Sequence, residues 1–209
     1  MMDSLVKFGE SKYINDMYDK EYLYFKPLID FRGVSEETGR MDPNEGNLSN
    51  FNLGKTDLIT DNAAFSELLK ISTQVEFHLV EFFNNPYHKI CSLYSIEDRN
   101  EISIDKRMTE KVGDTALVII DTVQFFDILE KAFVQKRLEF SWKNVFYYDI
   151  QNHQGETPLH YKDKEFEYQN EFRILSVVED DRVLILEIPG LKNCSKVLKS
   201  REVTTKNLI

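Results

Sequence analysis

Gln169-Asn170-Glu171-Phe172-Arg173-Ile174-Leu175-Ser176-Val177-Val178, then the acidic turn Glu179-Asp180-Asp181-Arg182, then Val183-Leu184-Ile185-Leu186-Glu187-Ile188, is the stretch on which the fold turns. The two apolar runs have strand length and strand composition, and the charged tetrapeptide between them is turn-like, so a hairpin is expected. Gln169 and Glu171 stand at the entrance of the first strand. Residues two apart on an extended backbone share a face, so both side chains are expected to look into one cleft. The alternative for Glu171 is a solvated strand edge.

Further upstream, Ala116-Leu117-Val118-Ile119-Ile120 is a continuous apolar run, as in a strand buried on both faces. Asp121 or Thr122 then caps the clearest helix, in which Val123, Phe126, Ile128, Leu129, Phe133 and Val134 recur near helical spacing as far as Lys136. Trp142 to Ile150 returns to strand composition, residues 75–81 alternate, and Ile90 to Ile96 and Cys194 to Leu198 are further strands. Lys162 to Tyr168 is a charged segment, helix or turn, leading into the 172–178 strand. At the amino terminus a strand over Leu5–Phe8, a brief helix capped by Ser11 and bearing Tyr13, Ile14, Met17 and Tyr18, and a strand over Leu23–Phe25 ended by Pro27 form a compact opening unit. Strands outnumber helices with no regular βαβ alternation, which predicts α+β with a largely antiparallel sheet. One domain, 1–209, is expected, with 33–62 as a long Gly-, Asn- and Asp-rich loop that is either functional or disordered.

Composition supports a folded chain: 42% of residues are hydrophobic, and 15 Phe and 10 Tyr supply a core. A formal charge of −10 repels phosphate backbones and works against a nucleic-acid or anionic-membrane binder. No stretch approaches the roughly 20 apolar residues of a membrane span, and Met1 to Gly9 lacks the apolar region of a signal peptide. The two cysteines, Cys91 and Cys194, lie in hydrophobic segments and read as core thiols, which favours a reducing, cytoplasmic setting. His78, His88, His153 and His160 lack metal-ligand spacing, so no metal is expected.

A second polar cluster lies upstream, Arg32 and then Arg40-Met41-Asp42-Pro43-Asn44-Glu45-Gly46. Arginine can clamp phosphates as a bidentate donor while Asp42 and Glu45 orient it, or the group is an Asp-Pro turn with surface ion pairs. Strand, short helix, Tyr-rich strand, Phe31-Arg32 and the Arg40 to Gly46 loop, with the late Glu165-Phe166-Glu167-Tyr168-Gln169-Asn170-Glu171-Phe172-Arg173-Ile174 segment, resemble a bacterial domain family that is itself similar to the ADP-ribosyltransferase fold. The matching segments are Phe8 to Gly46 and Phe166 to Ile174. The resemblance implies an enzyme that consumes NAD: Glu171 contacts the nicotinamide-side ribose, Gln169 meets the acceptor, and Arg32 and Arg40 hold phosphates. Tyr24 stacks on the nicotinamide in that scheme, or is simply half-buried in the sheet. A macromolecular acceptor and a role as toxin or defence effector follow from the same resemblance. The competing reading is a non-catalytic protein-binding module of the same fold.

Overall fold

The structure is a computed structural model that describes residues 2–31, 47–56, 75–82, 87–150, 152–153 and 155–208, for 47–56 and 75–82 the backbone alone. Its strands are β1 (Ser4–Gly9), β2 (Tyr22–Pro27), β3 (Asn47–Thr56), β4 (Val75–Phe82), β5 (His88–Ile96), β6 (Thr115–Ile119), β7 (Glu139–Asn144), β8 (Phe146–Tyr148), β9 (Gly155–Glu156), β10 (Tyr161–Asp163), β11 (Glu171–Val177), β12 (Leu184–Glu187) and β13 (Ser195–Lys199). Helices α1 (Ser11–Lys20) and α2 (Thr122–Lys136) are the long ones; Ser11 is the first residue of α1 and not its cap, a place that Glu10 takes on extended backbone. The chain is α+β with a mostly antiparallel sheet, as the strand-rich pattern predicts, and β8 with β10 is the one parallel pair among the described residues.

The main sheet runs β12-β2-β5-β1-β6-β13, with β11 and then β7 attached to β5. β11 pairs with β5 from Glu171↔Tyr94 to Val177↔His88, so it fills one edge of that strand as far as Tyr94. The other edge is shared. β1 takes Tyr94 to Ile96, and β2 takes only Lys89 and Ile90. β1 and β2 therefore diverge where they leave β5, and the sheet forks at Cys91–Leu93.

Directly opposed residues in an antiparallel pair share a face. Leu5, Leu93, Leu117, Ile119, Phe172 and Ile174 consequently lie on one side, where Ile14 and Met17 of α1 and Phe125, Leu129 and Phe133 of α2 close the core. Phe126, Phe140 and Trp142 extend that core as an aromatic stack. Val6, Phe8, Tyr94, Ala116 and Val118 face the other way and pack against Met108, Val203 and Leu208. Glu171 and Arg173 point to this second side, since they sit opposite Tyr94 and Ser92.

Four further details depart from the sequence expectations. β11 and β12 do not form a hairpin: both edges of β11 are occupied, by β5 and β7, and β12 pairs with β2 instead. Two apolar runs around a turn carry no information about which edges are vacant. Within the stretch read as a loop, residues 47–56 form β3, paired with β4, while 33–46 and 57–62 lie outside the described residues. Ladder pairing there overrides a composition poor in strand formers. Helix α2 begins where expected, with Asp121 accepting from the Gln124 amide, yet Val123 and Val134 are 71% and 63% exposed. Phe125 and Phe133 rotate the buried face away from them. Finally, the 142–150 segment breaks at Val145 into β7 and β8.

Gly113 follows a single π-helical turn, Met108–Val112, and passes against the backbone of Gly9. A Cβ at Gly113 would collide with the Gly9 carbonyl group. Gly113→Ala is therefore expected to force β1 and the π turn apart and to lower stability by about 1–3 kcal/mol, read by urea denaturation. A loss below roughly 0.5 kcal/mol would show that this approach is not a tight one.

Candidate functional site

The fork opens a cavity of about 430 Å³, lined in part by Lys7, Tyr24, Lys26, Ser92, Lys162 and Glu171. Its origin is topological. Where β1 leaves β5 the ladder stops, and Lys7 Nζ reaches across to donate to the Ser92 carbonyl at 2.7 Å. An ammonium thus stands in for a missing strand partner at the apex of the fork.

Glu171 is delivered to this place by a local turn. Residues Lys164–Gln169 form a 3₁₀ turn that ends at Asn170, whose φ of 36° is left-handed, a conformation that asparagine tolerates better than most residues. Asn170 is tied to Ser95 twice, accepting from its amide at 2.8 Å and donating from its own side chain to its carbonyl at 2.7 Å. The chain reverses there and enters β11 with Glu171 pointing at the fork. Gln169 is accordingly not on an extended backbone with Glu171, as the spacing argument has it. It reaches the same cavity by way of the turn.

Glu171 is only 4% exposed and Arg173 fully buried, so their charges must be matched inside the protein. Arg173 Nε donates to Glu171 Oε1 at 2.7 Å, and Ser92 Oγ donates to the same oxygen at 2.5 Å. Lys162 Nζ, on a side chain 6% exposed, donates to Glu171 Oε2 at 3.0 Å and to Gln169 Oε1 at 2.8 Å. Arg173 is anchored behind the carboxylate by its bond to the Leu159 carbonyl, 2.7 Å. Burial pushes the Glu171 carboxyl up, but the charges of Arg173 and Lys162 and the bonds from Arg173 and Ser92 outweigh it and hold the group ionised, well below the usual carboxylate range. Tyr147, whose hydroxyl oxygen accepts from the Glu171 amide at 2.7 Å, is pushed up by burial and by the Glu171 charge. Such a carboxylate is a fixed acceptor and a poor proton shuttle.

His160 lies behind this cluster. Burial, then the charges of Arg173 and Lys143, pull it down to about 4, and its Nδ1 has no hydrogen-bond partner among the described residues. Both shifts place more protons on the unfolded chain than on the folded one, so both give stability that is lost on acidification. The loss due to His160 runs from about pH 6.5 down through 4, and that due to Glu171 begins only below about 4.5. Urea titrations from pH 7 to 3 should show the upper limb flattened in His160→Gln. An unchanged upper limb in that variant would remove His160 from the account.

Of the residues singled out in the sequence, Gln169, Glu171 and Tyr24 all reach the cavity. Tyr24 sits at its edge, 38% exposed, and its hydroxyl is raised by burial and by nearby Asp30 and Tyr13. Arg32, Arg40, Asp42 and Glu45 lie outside the described residues; Phe31, immediately before Arg32, lines the cavity. Cys91 is buried with its thiol pushed up, as a core cysteine should be, and burial raises Cys194 to about 11. Among the described residues no group of His, Cys, Asp and Glu is placed to hold a metal ion, and no described helix is long and apolar enough to cross a membrane. Sequence reading missed Lys7, Lys26, Ser92, Lys162 and Arg173. Arg173 alone carried a signal, two residues beyond Glu171 on the same strand face. Comparison of the chain with protein-family models, with curated proteins and with solved structures found no match.

Proposed function

We propose that the fork cavity binds NAD and that the protein transfers its ADP-ribosyl group to a macromolecular acceptor, with Glu171 as the residue that orients the nicotinamide-side ribose. The observation that carries this reading is the convergence of Glu171, Gln169 and Tyr24 on one concavity, from β11, the preceding turn and β2. In the transfer the bond between ribose C1′ and the nicotinamide nitrogen breaks, and nicotinamide leaves with the electron pair. The acceptor nucleophile then bonds to C1′ and releases its proton to water. Glu171, ionised throughout, accepts from a ribose hydroxyl and fixes the sugar; Gln169 meets the acceptor side; Tyr24 covers the leaving ring. Within a bacterial cytoplasm such an activity suits a toxin or a defence effector.

A second reading, ligand or protein binding without turnover, is favoured by one observation. Both oxygens of Glu171 are already engaged, by Arg173, Ser92 and Lys162. A ribose hydroxyl must displace one of these donors, and if none yields, the cluster is a structural floor. Nicotinamide release from NAD, with and without candidate protein acceptors, separates the two. Release that depends on Glu171 supports transfer, and absence of release across acceptors leaves binding alone.

A further inference from the structure

The cavity's charges are unusual for this chain. The protein as a whole carries a formal −10, yet three lysines, Lys7, Lys26 and Lys162, and two glutamates, Glu10 and Glu171, line the fork. Glu171 is moreover in contact with Arg173, so the buried cluster of Glu171, Arg173 and Lys162 holds two cations and one anion. Low-dielectric walls strengthen that excess relative to an open surface. Lys162 comes from β10 and Lys26 from β2, on different elements bordering one space. Each ammonium is held over a ring, Lys162 at 5.1 Å from Phe166 and Lys26 at 5.4 Å from Phe31, which orients it without neutralising it.

We propose that this cavity is a binding site for a phosphate-bearing anion, with Lys162 and Lys26 as the residues that read its charge. Two cations on different strands suit a group with several charged oxygens, and lysine serves phosphate as a point charge. Aromatic side chains beside them, Tyr24 and Phe31, give an organic phosphate a ring to rest on. Lys162 has a second consequence. Its bonds to Gln169 and Glu171 hold both of these residues, so a phosphate that draws the ammonium toward itself loosens them, and an uncharged ligand does not. The inference shares with the proposed function the choice of cavity, but needs no glycosyl transfer.

The test uses inorganic pyrophosphate and ADP as probes, with affinity measured by calorimetry on the full chain. Wild type should bind at least one, more weakly as salt rises. Lys26→Gln, at a half-buried position on β2 that is not one of the Glu171 ion pairs, should weaken binding roughly tenfold, and Lys162→Met should weaken it further. Binding of pyrophosphate assigns the site to the phosphate itself, and preference for ADP assigns it to an organic phosphate. No binding of either probe, or binding unchanged in Lys26→Gln, overturns the proposal; should Lys162→Met not fold, Lys26→Gln and the salt dependence decide. Because neither probe contains nicotinamide, failure here with nicotinamide release intact strikes only this inference. Probe binding without release strikes only the proposed function.

Discussion

Replacement of Arg173 by alanine is expected to destabilise the protein by about 3–5 kcal/mol, among the largest effects of any single substitution in the chain. The reason lies in what is left behind. Glu171 would remain 4% exposed and would keep the Ser92 bond and the Lys162 contact, but it would lose the partner at 2.7 Å whose charge most opposes its burial. The Leu159 carbonyl would also lose its donor. In a chain of this size the change corresponds to a fall in melting temperature of roughly 10 °C. The diagnostic experiment is a double-mutant cycle with Glu171→Gln, since removal of both charges spares the protein an uncompensated buried ion. Should Arg173→Ala lose under about 1 kcal/mol, water reaches the carboxylate and the ion pair is not an enclosed one.

Glu171→Gln should lower nicotinamide release by about 100-fold or more, the scale seen when one preorganised polar group is removed from a reacting centre. The amide keeps the size of the carboxylate and can still accept from Ser92, so the cavity keeps its shape. It cannot balance Arg173 and Lys162, and some stability will go with the charge. Activity must therefore be compared at a temperature where both proteins are folded, as judged by their own unfolding curves. A loss of release in Glu171→Gln alongside retained binding of NAD places the residue in the chemical step. Equal release from the two proteins would mean that the carboxylate only holds Arg173 and Lys162 in position, and the transfer reading would fall.

Parts of this site were legible in the chain as written. Glu171 at a strand entrance, the buried strand now seen as β6 and the capped helix after Asp121 each rest on local rules, namely alternation, apolar run length and an amide-accepting side chain. The hairpin failed because two neighbouring strands can seek different edges. Lys162 was overlooked for a related reason. A lysine in a run of charged residues looks solvated, and only the packing of β8, β10 and the 3₁₀ turn around it buries it beside the cavity.

Local pattern, then, was sufficient for the α+β class, for most of the strands and for the position of Glu171 at a strand entrance, because period and propensity are properties of neighbouring residues. The fork is of another kind. It exists because β1 and β2 share one edge of β5 while β11 holds the other, and that arrangement involves residues nearly 170 apart along the chain. Edge occupancy, and with it the cavity and its lysines, is a property of the assembled sheet, to which hydrogen bonding between distant strands gives a shape that no window of sequence contains.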